Sequence, residues 1–565
     1  MNNDNQAPEV ATERRTASQA TSLVELATNR GCALWHTPEG VAFATVGVDS
    51  HSENWPIKSG MFKRWLQREY FLKTKGVVNA QAIQDALGTL EGKAIFEGQQ
   101  HDAHIRVAEY QGSIIIDLAD SEWQVVEIDT MGWRVSPTSP VMFRRAKAML
   151  PLPKPARGDI AELRRHLGLS AITWPLVAGW ILAALRPHGP FPVLNLAAEQ
   201  GAGKTTFARK IRALVDPNTA PVRCEPAAPR DLAVAANNGW ALVFDNLSHI
   251  PPWLSDALCR LSTGGGFSTR ELYSDAEEVI FDAKRPVILT GIEELATRGD
   301  LLDRSLIVTL PNIPEDQRRP ESEIWPEFDE ARPRLLGALC DAVSAALRNL
   351  PTTKVARLPR MADFALWATA AEMAIGLKPG DFLAAYTGNR ADGNELALES
   401  SPVGKAVLDF IAGNDSWKGT AGELLAELDR AVDDKTKRAK GWPQTARALS
   451  GTIKRLAPNL RAVGLQVEMG RTGNGRYIAL GMVQQSSVTS VTNVTPPDIS
   501  GGNGDTKQIA VTQSPPLVTQ ERPGNDAGDD SDDGPALCST DAAADPWPDD
   551  DANQQFDEAA DGDGF

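Results

Sequence analysis

The fold is decided by one stretch of the sequence, LNLAAEQGAGKTT at residues 194–206. An apolar strand predicted over residues 192–196 runs into a glycine-rich turn, and a helix predicted over residues 205–214 follows it. This order of strand, turn and helix is the context of a Walker A loop, in which backbone N–H groups surround a phosphate. Gly201 and Gly203 give the backbone the freedom to curl in that way.

The predicted nucleotide-binding residues follow from the chemistry of a triphosphate. Lys204 is a compact cation for the β- and γ-phosphates, and Thr205 offers a hydroxyl group to Mg²⁺. The helix that begins there presents its positive end to the anion. Ala198 replaces the first glycine of the motif, a change that a negative φ tolerates. The set predicted to bind ATP and Mg²⁺ is Gly201, Ala202, Gly203, Lys204, Thr205 and Thr206.

A second apolar strand ends in a carboxylate, as the partner of a Walker A loop should. The sequence ALVFD at residues 241–245 predicts that Asp245 holds Mg²⁺ through its water shell, the alternative being an aspartate that only caps a helix. The next residue is Asn246, where many ATPases place a glutamate that activates water. Asparagine can orient a water molecule but cannot accept its proton. Either hydrolysis is slow or the base comes from elsewhere.

Two further residues are candidates for catalysis. Thr290 lies in the apolar strand at residues 287–291, where a group that senses the γ-phosphate or the attacking water is expected. A simple turn threonine is the alternative. Arg304, preferred to Arg298, precedes another apolar strand and is the candidate to reach the nucleotide of a neighbouring subunit. The alternative is a surface arginine.

Buried strands alternate with helices over residues 158–313, which predicts a parallel sheet covered on both faces. The expected fold class is therefore α/β, with a P-loop core. A glycine run at residues 264–266 begins a predicted hairpin. In this hairpin Arg270 and Tyr273 either contact a threaded nucleic-acid strand or simply face solvent.

Over the predicted P-loop core the sequence resembles the ATPase part of phage and mobile-element primase–helicase proteins. These belong to the AAA+-like P-loop group that includes the superfamily III helicases. The resemblance lies in AEQGAGKTT and in the segments 241–275 and 285–311. It implies ring-forming ATPases that move or melt DNA, with Lys204, Thr205 and Asp245 at the nucleotide and Mg²⁺.

Residues 21–155 are expected to form an α+β accessory domain, with a helix at residues 80–90 and a short strand at residues 94–96. The sequence IIIDLAD separates Asp117 and Asp120 by three positions, whereas archaeo-eukaryotic-type primases separate their metal-binding carboxylates by two. Turn residues are therefore the favoured interpretation, and a metal pair is the alternative.

The same region contains the sequence HDAH. His101 and His104 are expected to be surface or packing residues rather than metal ligands.

Residues 401–482 are expected to form a basic winged-helix module. From Lys435 to Arg476, ten lysines and arginines oppose one acid, Glu468, which is the charge pattern of a phosphate-binding surface. Two helices followed by a hairpin match a winged helix and resemble the C-terminal modules of the same phage proteins. A protein-binding winged helix is the alternative. The residues predicted to contact DNA are Arg447, Lys454 and Arg455.

The negative charge of the chain is concentrated in its last residues. The net charge is −17, of which residues 485–565 contribute 17 acids against two bases, or −15. The rest of the chain is nearly neutral, so the acidity does not exclude a nucleic-acid partner. The segment 483–565 is expected to be a disordered acidic tail that recruits replication proteins, folds over the basic module or only aids solubility.

The composition of the chain indicates the cellular compartment in which the protein is expected. A polar N-terminus and the lack of any run of 18 apolar residues argue against export and a membrane partner. Five scattered cysteines without a CxxC pair argue for a reducing cytoplasm.

The predicted domains are a disordered segment 1–20, the accessory domain 21–155, the P-loop core 156–315, a helical lid or linker 316–400, the winged helix 401–482 and the tail 483–565. We expect an ATP-dependent DNA helicase or translocase of phage or mobile-element replication. It would act as a homo-oligomeric ring on single-stranded or forked DNA. The alternatives are a slow ATP-binding switch, such as a helicase loader or DNA-binding regulator, and a non-enzymatic DNA-binding adaptor.

Overall fold

The computed structural model describes residues 18–199, 201–265, 267–270, 278–281, 283–291, 298–439, 441–472 and 475–482. Tyr273, the first seventeen residues and the acidic segment 483–565 lie outside the described residues, and so do the predictions made for them.

The N-terminal part is a four-stranded sheet packed against helices. Its elements are α1 Gln19–Asn29, β1 Ala33–His36, β2 Ala42–Val48, β3 His51–Pro56, α2 Gly60–Thr74, α3 Ala80–Phe96 and β4 Gln99–Gln100. The strands are ordered β3-β2-β1-β4, with β4 parallel to β1 and the other pairs antiparallel. The apolar faces of α1, α2 and α3 cover this sheet and form a core of their own.

The strand predicted at residues 94–96 is wrong, because these residues form the last turn of α3. Ala86, Leu90 and Ala94 are four residues apart, so they lie on one face of the helix, and all three are buried. The helix stops before Gly98, where a Cβ atom would lie 2.4 Å from the carbonyl oxygen of Ala94. Only glycine fits this close approach of the backbone.

A second, four-stranded sheet packs onto the centre of the protein, and a separate two-stranded sheet accompanies it. The strands of this region are β5 Ala103–His104, β6 Val107–Tyr110, β7 Ser113–Asp117, β8 Val125–Asp129, β9 Gly132–Ser136 and β10 Met142–Phe143. Strands β6 to β9 form an antiparallel meander, and β5 pairs in parallel with β10. Ile114, Ile116 and Ile128 face the apolar core that this sheet shares with the central sheet.

The centre of the protein is a parallel sheet between helices, as the alternating pattern predicts. Its elements are α4 Ile160–Leu167, α5 Trp174–Ala184, β11 Val193–Ala197, α6 Lys204–Val215, α7 Pro229–Asn237, β12 Leu242–Leu247, α8 Pro252–Thr263, β13 Phe267–Arg270, β14 Glu278–Phe281, β15 Val287–Gly291, α9 Gly299–Leu302 and β16 Ser305–Thr309. The order β12-β15-β11-β16 is parallel throughout, and β13 and β14 form a separate antiparallel hairpin.

Both faces of the central sheet are covered, which explains why its strands are apolar at nearly every position. Leu194 and Leu196 face α5 and α6, whereas Val193 faces the layer that contains α8. Because all four strands run the same way, their carboxyl ends lie along one edge, where ligands bind in sheets of this kind.

A helical segment connects the sheet to the C-terminal part. It contains α10 Glu321–Asn349, α11 Ala362–Ala370 and α12 Asp381–Glu399. None of the helices among the described residues is both long and apolar enough to cross a membrane.

The C-terminal part has helices on one side of a three-stranded antiparallel sheet. Its elements are α13 Pro402–Ala412, β17 Ser416–Gly419, α14 Ala421–Ala431, α15 Asp434–Arg438, α16 Ala446–Ala462, β18 Leu465–Thr472 and β19 Gly475–Met482. The strand order is β17-β19-β18. Helix α16 also contacts the central part, because the Asn459 side chain donates to Asn394 of α12 at 3.0 Å and lies against Gly299 of α9.

Candidate functional site

The glycine-rich turn lies at the carboxyl end of β11, as predicted, and leads directly into α6. Gly201 and Gly203 have φ values of +84° and +75°, the left-handed region that favours glycine. Ala202 between them is buried. Lys204 begins α6, and its Nζ atom donates to the carbonyl oxygens of Ala198 at 2.6 Å and Glu199 at 2.8 Å. The ammonium group is thereby held inside the curve of the turn.

A hydroxyl–carboxylate–hydroxyl cluster lies beside this turn. The Thr205 hydroxyl is 3.0 and 2.9 Å from the two carboxylate oxygens of Asp245, and Thr290 Oγ1 donates to the same carboxylate. Thr290 is fully buried, and its hydroxyl also accepts the backbone N–H of Asn246 at 2.9 Å. Residues from α6, β12 and β15 are therefore brought together at the carboxyl edge of the sheet.

Asn246 lies next to this cluster in an unusual backbone conformation. Its φ is +57°, and the pairing of β12 with β15 shifts register between Phe244 and Leu247. The bulge turns Asn246 outward, so its side chain is exposed rather than packed into the sheet. Asparagine adopts this conformation more readily than most residues.

The segment 311–321 covers the glycine turn from the other side, and sequence analysis missed it. Arg318 lies over Gly201, with a guanidinium nitrogen 3.6 Å from where a Cβ atom would be, and Ile313 lies over Gly203 at 3.2 Å. Because the segment is polar and irregular, no periodicity singles it out; its pair of arginines at 318–319 is the one signal available.

Two hydrogen bonds and an ion pair attach that segment to the nucleotide-binding elements. Asn312 donates to Glu199 at 3.1 Å, and the Thr206 hydroxyl is 3.4 Å from a carboxylate oxygen of Glu321. Glu321 also pairs with Arg209 of α6 at 2.9 Å. Thr206, predicted to contact nucleotide, thus faces the start of α10.

A cavity of about 420 Å³ adjoins Asp245 on the outer side of β12. It is bounded by residues 245–248 and by the segment 222–225, in which Arg223 forms a parallel bridge to Phe244. The residues of this segment that line the cavity include Cys224 and Glu225, neither of which the sequence analysis singled out.

Arg304 lies at the opposite edge of the sheet from the glycine turn. Its carbonyl oxygen accepts the N–H of Val193, the first residue of β11, whereas the turn follows the last residue of that strand. Its guanidinium donates to the carbonyl oxygen of Asp300 at 2.8 Å. Arg304 therefore lies away from the glycine turn of its own chain. Arg298 forms an ion pair with Asp256 of α8 at 3.1 Å.

Of the residues predicted to contact DNA, all three on α16 are exposed. Lys454 lines a groove of about 600 Å³ between α16 and the β18–β19 hairpin, and the Lys418 ammonium lies 4.4 Å from the ring of Tyr477 in that groove. Arg447 and Arg455 are exposed but are not among the lining residues. The cations that line this groove, here called the basic groove, are Lys454, Arg461, Arg471 and Arg476. Arg270 ends β13, and its side chain lies outside the described part of the structure.

The carboxylates Asp117 and Asp120 are both engaged in local structure. Asp117 is buried and accepts from Arg145 at 3.0 and 2.6 Å and from the N–H of Ala119, and Asp120 accepts the N–H of Gln124. Within the described ranges, no three His, Cys, Asp or Glu side chains are grouped so as to hold a metal ion.

The two histidines of the HDAH sequence pack against aromatic rings. His101 lies edge-on to Trp35 with 5.9 Å between ring centroids, and His104 lies edge-on to Phe143 at 6.2 Å. Burial lowers the pKa of His104, and the nearby Asp102 carboxylate only partly opposes this shift.

The donors at the glycine turn fit a magnesium-bound nucleotide. A hydroxyl and a carboxylate are ligands that Mg²⁺ prefers, either directly or through its waters, and Thr205 and Asp245 place them within 3.0 Å of each other. The positive-φ glycines and the start of α6 direct backbone N–H groups to the space beside them.

Comparison with known families gives two matches. Residues 163–395 match the family described as actinomycete integrative conjugative element replication protein, and residues 403–493 match its C-terminal domain. Over these two stretches the chain is similar to replication proteins of integrative conjugative elements. A comparison with curated proteins gives no match.

Two solved structures are distantly similar to this chain. The structure titled as the active helicase Cch of SCCmec type IV is 13% identical with a TM-score of 0.45, over 80% of this chain and 92% of that one. The apo C-terminal region of NrS-1 is 11% identical with a TM-score of 0.36, over 83% of this chain and all of that one.

Proposed function

We propose that this protein is an ATP-dependent DNA helicase or translocase that serves replication of a mobile element. The observation that supports this best is the contact of Thr205 and Thr290 with the Asp245 carboxylate beside a positive-φ glycine turn. The family match over residues 163–395 supports the replication context. In this proposal the glycine turn is a Walker A loop and β12 ends in the Walker B carboxylate.

Different residues of the site would contact different parts of a bound triphosphate. Backbone N–H groups at residues 201–205 surround the β-phosphate, and Lys204 moves from the carbonyl oxygens of the turn to the phosphates. Thr205 and Asp245 would hold Mg²⁺, whose charge would help to stabilise the negative phosphate oxygens. Thr290 keeps the Asp245 carboxylate in one orientation, since it is buried and donates to it.

The position of Arg304 supports the proposal of a ring-shaped oligomer. An arginine that stabilises the transition state must approach the γ-phosphate, and Arg304 lies at the far edge of its own sheet. In the proposed head-to-tail ring, that edge would face the glycine turn of the next subunit, so Arg304 would complete the neighbour's site. This arrangement makes hydrolysis dependent on assembly.

The C-terminal part is proposed to be a winged helix that binds DNA. Helix α16 would contact the phosphate backbone through Arg447, Lys454 and Arg455, and the basic groove beside it would hold a strand.

Steady-state ATP hydrolysis with and without single-stranded DNA tests the proposal. A motor needs a turnover of about 1 s⁻¹ or faster when DNA is present, and Lys204→Ala should abolish it. Lys73→Ala, which changes an exposed lysine in the last turn of α2, is the matched control and should hydrolyse ATP as the wild type does. Wild-type protein without DNA-stimulated hydrolysis, and without a ring in mass measurements with nucleotide and DNA, would contradict the proposal.

A slow nucleotide switch is the second candidate, and Asn246 favours it. The exposed amide at this position cannot accept a proton from water. A switch would bind ATP tightly through Lys204 and Thr205 yet turn over far more slowly than a motor, with or without DNA.

A further inference from the structure

In the proposed ATPase site, the residue after Asp245 in β12 is not a proton acceptor, although one is expected there. Attack by water on a γ-phosphate is assisted by a group that orients the water and takes its proton, and the carboxylate of Asp245 is committed to Thr205 and Thr290. Asn246 follows it and has only an amide. A hydrolysing enzyme with this site needs a carboxylate or imidazole from another element.

The segment 222–225 supplies a carboxylate at the correct edge of the sheet. The N–H of Arg223 donates to the carbonyl oxygen of Val243 at 2.9 Å, and the N–H of Asp245 donates to the carbonyl oxygen of Arg223 at 2.9 Å. This is parallel pairing, in which Arg223 is opposite Phe244. Two residues further on, Glu225 reaches the level of Asn246.

The cavity beside Asp245 brings the same residues together. Asp245 and Asn246 line it from β12, and Glu225 lines it from the neighbouring segment. At about 420 Å³ it has room for several water molecules. Glu225 is half-buried, so it lines the cavity without being packed into the core.

We propose that Glu225 is the general base of ATP hydrolysis and that Asn246 orients the attacking water, an inference that depends on the proposed ATPase function. The water oxygen bonds to the γ-phosphorus while one of its protons passes to the Glu225 carboxylate, and the bond from that phosphorus to the β–γ bridging oxygen breaks. The products are ADP and phosphate, and the proton then leaves Glu225 for phosphate or solvent. The carboxylate thus comes from the segment beside β12 rather than from the position of Asn246.

The proline after Glu225 supports a fixed position for this residue. Pro226 is buried, and proline restricts the residue before it to extended conformations. The backbone of Glu225 therefore continues the direction of the bridge at Arg223.

Single-turnover hydrolysis of ATP by Glu225→Gln tests the assignment. Loss of a general base should slow the chemical step on the order of 10²–10⁴-fold, while fluorescent ATP should bind within about twofold of the wild-type affinity. Glu97→Gln, which changes an exposed glutamate after α3, is the control and should leave both quantities unchanged.

A relocation experiment separates catalysis from a structural role. In the double variant Glu225→Gln with Asn246→Glu, a carboxylate returns to the cavity from β12, and hydrolysis should recover at least tenfold over the single variant. A role of Glu225 in folding alone predicts no recovery.

The outcomes also distinguish the inference from the function on which it rests. Wild-type protein that hydrolyses ATP together with a Glu225→Gln variant of equal rate would overturn the assignment of Glu225 and leave the ATPase proposal intact. Wild-type protein that binds ATP but does not hydrolyse it would overturn both.

Discussion

The Arg106 guanidinium donates to the Asp216 carboxylate at 3.0 Å, and both side chains are almost completely buried. The other oxygen of Asp216 accepts the N–H groups of Trp240 and Ala241, which precede β12. Asp216 itself follows α6. One ion pair therefore joins the region of the second sheet to α6 and β12, two of the three elements that form the proposed nucleotide site.

Replacing Arg106 with methionine should destabilise the protein strongly. The change leaves the Asp216 carboxylate buried without its cation, and breaking a buried pair in this way typically costs about 3–5 kcal/mol. Urea unfolding followed by tryptophan fluorescence measures the change. Arg430→Met, in an exposed pair with Glu427 at 2.7 Å, is the control and should cost less than about 1 kcal/mol. Equal midpoints for the two variants would show that the buried pair is not important for stability.

Thr205→Val should remove the magnesium dependence of nucleotide binding. The variant keeps the shape of the side chain but loses the hydroxyl that lies 2.9 Å from Asp245. Hydrogen bonds to charged groups contribute about 1.5–3 kcal/mol, so affinity with Mg²⁺ should fall by roughly tenfold or more. Titration of a fluorescent ATP analogue with and without Mg²⁺ measures this. Thr205→Ser keeps a hydroxyl group and should keep the dependence of nucleotide affinity on Mg²⁺. A serine variant that binds nucleotide as weakly as the valine variant would show that the hydroxyl is not a ligand of Mg²⁺.

Asn195→Leu should stabilise the protein. Asn195 is fully buried in the middle of β11, and among the described residues neither its amide oxygen nor its amide nitrogen has a hydrogen-bond partner. An unpaired buried polar group costs about 1–3 kcal/mol, which an apolar side chain of similar volume recovers. The thermal unfolding midpoint measures the gain. Asn459→Leu removes an amide that is paired with Asn394, and it should lower the midpoint instead.

The central sheet could be predicted from the sequence because its strands are continuous apolar runs. The strand predicted at residues 192–196 is observed at Val193–Ala197, and the aspartate expected at the end of the next strand does lie beside Thr205. A strand that is buried on both faces is apolar at nearly every position, which makes it easy to recognise in the sequence. The carboxyl ends of parallel strands also lie at one edge of their sheet.

The contacts made across the turn could not be predicted in the same way. Arg318 approaches Gly201 only because the chain returns from β16 over the glycine turn, a tertiary arrangement with no periodicity. Glu225 lies on a segment that pairs through a single bridge, too short for a strand pattern to stand out. At residues 94–96 a local pattern gave the wrong prediction: a strand was expected, but the residues are helical. A short apolar run is compatible with either structure.

Neutralising the basic groove should weaken DNA binding without changing sequence preference. Arg471→Ala and Arg476→Ala each remove one cation that lines the groove, so the slope of log affinity against log salt should become shallower by about 1 per substitution. Fluorescence anisotropy on single-stranded DNA at several salt concentrations measures the slope. Arg430→Ala, exposed on α14 outside the groove, should leave the slope unchanged. A slope that shifts equally in all three variants would mean that the groove is not where DNA binds.

Acidification should destabilise the protein in part through His104. Burial lowers the pKa of His104 in the folded state, so the unfolded chain binds a proton more readily. The stabilisation is present above the unfolded-state pKa of about 6.5 and is lost as the pH falls through the lower folded-state pKa. Urea midpoints at pH 7 and pH 5 should therefore differ less in His104→Asn than in the wild type. His249→Asn changes an exposed histidine and should keep the wild-type difference.

The close approach of α16 to α9 has a mechanical consequence. A Cβ atom on Gly299 would lie 2.9 Å from the amide oxygen of Asn459, so this side chain of α16 packs directly against the start of α9. Arg304 follows α9 by two residues and receives its orientation from that helix through Asp300. In the proposed ring, a shift of α16 on binding DNA would therefore reach Arg304 and, through it, the nucleotide site of the next subunit.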